Sequence, residues 1–193
     1  NYDFSKSLFL NFLENEAKLN YSSWKDSINV LYSEIYSNAF GKLNDEYTFE
    51  NSYKEFVTEN FKSRKRSLDK KEYDQAEKVI NKIFELGKEV ELFPALYLSY
   101  HLIPKFQNKK AQLPEVFSNL DVLLIDEIQD LTELEGYLVF LYANQTKKRK
   151  NKEVVFVAAG DEAQTIRPTS FTWASFKNIV YELKKVNFET IDS

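Results

Sequence analysis

Two uninterrupted apolar runs, each ended by acidic residues, constrain the fold more than any other feature of the sequence. Val122–Glu127 ends in Asp-Glu, and Val154–Asp161 ends in Gly-Asp. Short continuous apolar runs are typical of parallel strands that are buried on both faces. Between them, Thr132–Glu135 has the Thr-x-x-Glu spacing of a capping box and predicts the start of a helix. The pattern therefore predicts a β-α-β unit with two buried parallel strands.

Most of the remaining chain is predicted to be helical. Apolar residues recur at three- and four-residue spacings in four segments before residue 115. They are Leu8, Phe9, Phe12 and Leu13; Trp24, Ile28, Leu31 and Ile35; Tyr53, Phe56, Val57 and Phe61; and Tyr73, Ala76, Ile80, Ile83 and Phe84. Gly87 is a suitable helix end, and Pro94 suits a first helical turn. Pro104 and Pro114 are predicted to enclose a polar loop. Near the C-terminus, Phe176–Leu183 predicts another helix and Val186–Ile191 a third strand.

Composition excludes several classes of site. The 16 Phe, 12 Tyr and 2 Trp stand against only 4 Gly and 4 Pro, a balance that favours packed helices. Because the chain has no Cys and one His, His101, disulfides, thiolate metal sites and two-His zinc sites are excluded, and His101 is assigned no chemistry. The net charge of -4 argues against a globally basic nucleic-acid binder.

The sequence also predicts where the protein is found. It contains no apolar run of roughly 18 to 20 residues and does not begin with a signal peptide, so we expect a soluble, cytoplasmic protein without a membrane partner. The 193 residues include no Met, so we also expect a fragment of a longer chain.

Acidic residues gather at the predicted carboxyl ends of the two strands. They are Asp126, Glu127 and Asp130 after the first strand, and Asp161 and Glu162 after the second. In open parallel sheets, functional groups collect at this edge. An apolar strand that ends in Asp-Glu fits a nucleotide hydrolase, in which the first carboxylate holds Mg²⁺ and the second orients or deprotonates the attacking water.

These residues resemble a known family. Leu123–Asp130 resembles the Walker B motif, motif II, of UvrD/Rep-type superfamily 1 DNA helicases, and Gly160–Ile166 resembles their motif III. The two motifs follow one another in the order that the family has. The resemblance covers residues 91–193 and implies an α/β fold: a partial RecA-like parallel sheet of the P-loop NTPase type, belonging to motor domain 1A. By position alone, residues 1–90 would be the mostly helical insert subdomain 1B.

The resemblance also implies roles at a site for ATP and Mg²⁺. Asp126 would coordinate Mg²⁺, Glu127 would be the catalytic base, and Gln164 would sense the γ-phosphate. Gln129 and Asp130 would link the nucleotide to the DNA path, with Asp161 beside them. Arg167 would either face phosphate or pair with an acidic neighbour.

Candidate DNA contacts are aromatic and basic. Phe171 and Trp173 would stack on single-stranded bases, or would anchor the following helix in the core. Residues 167–170, Arg-Pro-Thr-Ser, stand where many family members have an aromatic residue, so which ring stacks stays open. Two basic runs are either phosphate contacts or solvated surface. They are Lys62, Arg64, Lys65, Arg66, Lys70 and Lys71, and Lys147, Lys148, Arg149, Lys150 and Lys152.

The leading hypothesis is a part of an ATP-dependent DNA helicase or translocase. Its partners would be single-stranded or partly duplex DNA, a P-loop segment and a second RecA-like domain. No Gly-x-x-x-x-Gly-Lys-Ser/Thr occurs in the chain, so we expect these residues alone to hydrolyse ATP negligibly. The alternatives are an inactive helicase-like DNA-binding scaffold, a metal-dependent nuclease that uses Asp126, Glu127, Asp130 and Asp161, and an ordinary α/β domain whose acidic residues cap helices.

Overall fold

A computed structural model describes residues 2–19, 28–43, 48, 51–52, 70–108, 120–150, 154–164, 169 and 171–184. The chain divides into two compact units, Asn1–His101 and Leu102–Ser193. The limits predicted from the sequence, 1–90 and 91–193, refer to the subdomains of a helicase and stay a prediction.

The described part of the first unit is helical. Helix α1 (Tyr2–Asn11) continues as a π-helical segment, Phe12–Ala17, and α2 (Ile28–Ser33) continues as a second one, Glu34–Phe40. They are followed by α3 (Lys70–Glu85), α4 (Glu89–Leu92) and α5 (Pro94–Gln107), and α5 contains the boundary between the units. The core is rich in aromatic rings, which contact one another through Phe9, Tyr32, Tyr36, Phe40 and Phe93.

Most members of the predicted apolar faces are buried where the structure describes them, and Leu8, Ile28 and Phe84 are half-buried. Buried members of the predicted set are Phe9, Phe12, Leu13, Leu31, Ile35, Ala76, Ile80 and Ile83. Trp24 and the segment 53–61 lie outside the described residues.

Two residues of the first unit, Tyr100 and Lys88, make several polar contacts. The Tyr100 hydroxyl on α5 lies 2.9 Å from the carbonyl oxygen of Phe40 and 2.8 Å from Ser52 Oγ. Lys88 forms ion pairs of 2.7 Å with Glu16 and 2.8 Å with Glu91. Hydrogen bonds to Glu16 and then to Glu91 raise the pKa of Lys88 above its ordinary value of 10.5.

The end of α3 agrees with the prediction, and the end of α5 does not. Gly87 has a φ of 62°, while the Lys88 N–H donates to the Ile83 carbonyl at 3.0 Å and the Gly87 N–H to the Phe84 carbonyl at 3.1 Å. This is a Schellman motif, in which Gly suits the left-handed position. The predicted start of the loop between Pro104 and Pro114 is wrong, because α5 continues to Gln107, and residues 109–119 of that loop lie outside the described residues. Buried Ile103 and Phe106 on either side of Pro104 hold the helix, although proline lacks the N–H of a regular helical bond.

The second unit contains the predicted β-α-β arrangement. Strands β1 (Val122–Ile125) and β2 (Val155–Ala158) are parallel neighbours, with Val122 opposite Val155 and Ile125 opposite Ala158. Helix α6 (Glu133–Lys150) connects them, and α7 (Trp173–Lys184) follows β2. Single 3₁₀ turns lie directly after each strand, at Ile128–Asp130 and Glu162–Gln164.

The predicted capping box is confirmed at the start of α6. The Thr132 N–H donates to Glu135 Oε2 at 2.9 Å, and the Glu135 N–H donates to Thr132 Oγ1 at 3.3 Å. This reciprocal pair satisfies two backbone donors that the first helical turn leaves without partners. It thereby fixes where α6 begins after the first motif.

The two strands are half-buried on one face and exposed on the other, not buried on both faces as predicted. On the inner face, Ile125, Phe156 and Ala158 pack against a core of Ile128, Phe140, Phe176 and Val180 from the following turn, α6 and α7. The outer face consists of Val122, Leu124, Val155 and Val157, which are 48%, 71%, 55% and 47% exposed. The described helices α6 and α7 cover the inner face of the sheet. A continuous apolar run in the sequence does not specify whether one or both faces of its strand are covered.

The described part of the chain is thus mostly helical with a small two-stranded parallel sheet, which is compatible with an α/β fold. The third strand predicted at Val186–Ile191 lies outside the described residues. Among the helices that the structure describes, we find none with the length and apolar content needed to cross a bilayer.

Candidate functional site

The two acidic motifs leave the sheet side by side. Ile125 and Ala158 are opposite one another at the last paired position of the strands. Beyond it, the Ala159 N–H donates to the Ile125 carbonyl at 2.8 Å, and the Ile128 N–H donates to the Ala159 carbonyl at 2.9 Å. Since the backbone pairing continues past the strands, the motif at 126–130 and the motif at 160–164 are held together. The prediction that both strand ends share one edge is confirmed.

The backbone turns sharply at Glu127. This residue has φ 53° and ψ 44°, the left-handed conformation, which is uncommon for a residue other than glycine. Its N–H donates to Asp126 Oδ1 at 3.0 Å. The side chains of Asp126 and Glu127 are both exposed at the sheet edge. Backbone strain of this kind concentrates at functional sites.

Gln129 is the buried centre of the edge. Its side chain is 0% exposed, whereas Asp126 and Glu127 in the same motif are exposed. Its Nε2 donates to Glu127 Oε2, and its Oε1 accepts from the Asp161 N–H at 3.2 Å. Its backbone carbonyl accepts a hydrogen bond from Thr169 Oγ1. We name the first two of these bonds the Gln129 bridge, because they join the Glu127 carboxylate of one motif to the Asp161 backbone of the other.

Gly160 leaves the space through which the Gln129 bridge passes. A Cβ at this position would lie 2.2 Å from Gln129 Oε1, 3.0 Å from Ile128 Cγ2 and 3.2 Å from the Ile128 backbone nitrogen. The first separation is well inside van der Waals contact. The glycine is therefore required here for close approach of the two motifs.

Asp161 organises the second motif. Its Oδ1 accepts from the Ala163 N–H at 2.9 Å, and its Oδ2 accepts from Gln164 Nε2 at 2.9 Å. The Gln164 N–H donates to the Asp161 carbonyl at 3.0 Å, which closes the 3₁₀ turn. Together with the Gln129 bridge, these contacts form a continuous hydrogen-bonded series from Glu127 through Gln129 and Asp161 to Gln164. Asp161 and Gln164 are both exposed, so they are open to a ligand.

Asp130 is half-buried, and its N–H donates to the Glu127 carbonyl at 2.9 Å. Within the described residues, the acidic side chains do not assemble into a group of three or more His, Cys, Asp or Glu suited to hold a metal ion. The structure gives no support to the two-metal site that the nuclease alternative requires of residues 126, 127, 130 and 161, all of which are described.

Phe171 and Trp173 pack against the core of the second unit. Both rings are half-buried, their centroids lie 5.4 Å apart, and the Trp173 ring lies 5.7 Å from that of Phe176. The backbone N–H of Trp173 donates to Glu162 Oε1. The sequence allowed two roles for these rings, stacking on bases or anchoring the following helix in the core. These contacts agree with the anchoring role. The stacking role stays a prediction.

Other predicted site residues lie outside the described part of the chain: Arg167, Lys62, Arg64, Lys65 and Arg66. The sequence did not predict Thr169 as a contributor to the edge, and although it placed Glu162 there, it did not predict the contact that Glu162 makes with α7. Thr169 contacts the first motif from 40 positions away, and Glu162 holds the start of α7. Such contacts between residues far apart in the sequence cannot be predicted from a single hydroxyl or carboxylate, because no local motif specifies the partner.

Comparisons with family models, with curated proteins and with solved structures gave no match for this chain.

Proposed function

We propose that this chain is part of an ATP-dependent DNA helicase or translocase of the UvrD/Rep type, to which it contributes motifs II and III. The observation that supports the proposal best is the hydrogen-bonded series from Glu127 to Gln164. It joins the end of one strand to the turn after its parallel neighbour, at the sheet edge where α/β proteins bind nucleotides. An ordinary domain with helix-capping acids would not require a buried glutamine between the two motifs.

In this proposal each exposed group has a separate task. Glu127 accepts the proton of the attacking water and orients it, while the uncharged amide of Gln164 contacts the terminal phosphate and reports its loss through one hydrogen bond. Phe171 and Trp173 lie after the second motif, where their half-buried rings would meet single-stranded DNA. The residues proposed to contact DNA thus lie a short distance after Gln164, the proposed phosphate sensor, in the sequence.

The chain's residues fit a magnesium–nucleotide complex. Mg²⁺ in nucleotide sites is held by one or two carboxylates together with phosphate oxygens and water, not by a cage of protein ligands. Asp126 is exposed at the sheet edge and would supply this carboxylate. When bound, the ion neutralises charge on the phosphate oxygens.

The test is Glu127→Gln in the intact protein that contains this sequence. We expect the variant to bind ATP with the affinity of the wild type, because the amide still accepts the Gln129 hydrogen bond, and to lose DNA-stimulated phosphate release by at least about 10²-fold. ATP binding by calorimetry and phosphate release on single-stranded DNA measure the two effects.

The matched control is Glu85→Gln, which removes the charge of an exposed glutamate on α3 that pairs with Lys82, three positions earlier. It should leave turnover unchanged. Full turnover by Glu127→Gln would contradict the assignment of the base. DNA binding by a wild-type protein that shows no turnover would favour the inactive scaffold, and DNA cleavage inhibited by EDTA would favour the nuclease.

A further inference from the structure

We propose that Gln129 is a positioning residue, which holds the Glu127 carboxylate in place and couples it to the turn that presents Gln164. The inference rests on the proposed function and deepens it, because it concerns how the same site is organised. The resemblance implied that Gln129 belongs to the nucleotide site. Its complete burial instead directs both ends of its carboxamide to protein partners.

The first step of the argument concerns hydrogen-bond direction. A carboxamide offers a donor at one end and an acceptor at the other. Gln129 uses its donor for the Glu127 carboxylate and its acceptor for the Asp161 N–H. Glutamate at this position would lack the donor, and leucine would lack both groups. Among side chains of this length, glutamine alone matches the two partners.

The second step concerns what the bridge fixes. Glu127 is exposed, and an exposed glutamate carboxylate ordinarily samples several rotamers. The bond from Gln129 selects one of them, and the burial of Gln129 makes that bond rigid. Correct placement of a base relative to its water accounts for a large share of catalysis, and misplacement by 1 Å can cost roughly 10²-fold.

The third step concerns coupling to Gln164. The Asp161 N–H is bound by Gln129, while the Asp161 carboxylate binds the Gln164 side chain and the Ala163 N–H. A movement of Gln164 toward a phosphate therefore pulls on Asp161, and through the Gln129 bridge on Glu127. Thr169 binds the Gln129 carbonyl and adds the segment before α7 to the same unit. The bridge thus gives the sensor a direct physical connection to the base.

The bridge itself is tested on this chain by amide hydrogen exchange and thermal unfolding. Gln129→Leu should raise the exchange rate of the Asp161 N–H about tenfold, the equivalent of one hydrogen bond. Gln129→Glu should lower the melting temperature, since it places two carboxylates against each other. The exchanged pair Glu127→Gln with Gln129→Glu restores one donor and one acceptor and removes the repulsion. Its melting temperature should therefore exceed that of Gln129→Glu, and its Asp161 N–H should be better protected than in Gln129→Leu. Unchanged exchange in Gln129→Leu, or no recovery in the exchanged pair, would overturn the bridge.

The positioning role is tested by kinetics of the intact protein. Gln129→Leu should lower kcat for ATP by at least about tenfold and leave KM for ATP within about twofold, because ground-state binding does not use the bridge. Val180→Ala, a core substitution in the same unit that does not touch the bridge, controls for general destabilisation. Equal kcat values for the two variants at matched stability would overturn the positioning role. A wild-type protein without turnover would refute the proposed function and the positioning role of Gln129 together, and the exchange experiment would then still report the bridge separately.

Discussion

Gly160→Ala should destabilise the second unit by about 2 kcal/mol. The new Cβ would meet Gln129 Oε1 at 2.2 Å, and two further atoms of Ile128 lie at 3.0 and 3.2 Å. Either these atoms shift, an overpacking that costs about 1–3 kcal/mol, or Gln129 turns away and leaves a buried amide without its partner, which also costs about 1–3 kcal/mol. The two costs are alternatives. The Ile128 N–H is bound to the Ala159 carbonyl, so the backbone cannot retreat without losing a further bond.

Urea unfolding followed by tryptophan fluorescence measures this effect. A Trp24→Phe background leaves Trp173, in the second unit, as the single reporter. The matched control is Gly136→Ala inside α6, where a Cβ meets no atom within 4 Å and where alanine should stabilise the helix by about 0.5–1 kcal/mol. In a double variant with Gln129→Ala, the cost of Gly160→Ala should shrink, because the overlapping atom is gone. A Gly160→Ala variant within about 0.5 kcal/mol of the wild type, or strict additivity in the double variant, would refute the reasoning.

Three further predictions concern single residues. Glu127→Gly should be more stable than Glu127→Ala by about 1 kcal/mol in urea unfolding, because both lose the side chain and only glycine adopts φ 53° without strain. Tyr100→Phe should cost about 1–3 kcal/mol by the same measurement, since it leaves buried acceptors without a donor, whereas exposed Tyr97→Phe should change stability by less than about 0.5 kcal/mol. The raised pKa of Lys88 means that its ion pairs stabilise the fold fully below pH 10.5 and lose this effect as pH rises through the folded-state pKa. The stability difference between wild type and Lys88→Gln should therefore narrow only above pH 10.5.

Local sequence rules predicted the features that depend on neighbouring residues. Thr132 and Glu135 form their capping box across three positions, and Gly87 ends α3 through bonds within its own turn. In both cases the partners are fixed by the chain itself, so the pattern contains the whole interaction. The parallel pairing of β1 and β2 was predicted for a related reason, because a helix of suitable length connects two apolar runs.

The features that were predicted incorrectly depend on distant packing. Pro104 should have ended α5 by local rules, but the burial of its neighbours on the helix outweighs one missing hydrogen bond. The outer face of the sheet was predicted to be buried, and Leu124 is its most exposed member at 71%. An apolar run records only that a strand is compatible with burial. Which surfaces are covered depends on elements elsewhere in the chain.

The candidate site shows the same division between motif and contact. The motifs identified Asp126, Glu127 and Gln164 as chemical groups, but no spacing rule predicts that Gln129 is buried between them. Since Glu127, Gln129, Asp161 and Gln164 share one series of hydrogen bonds, the effects of substituting them should not add. Once Gln129 is replaced, the Glu127 carboxylate has lost its hydrogen bond to Gln129. A further substitution at Asp161 should then have little additional effect on the position of the Glu127 side chain. For a substitution that breaks this series, the loss of stability or turnover therefore reflects the whole series, not the separate contribution of that side chain.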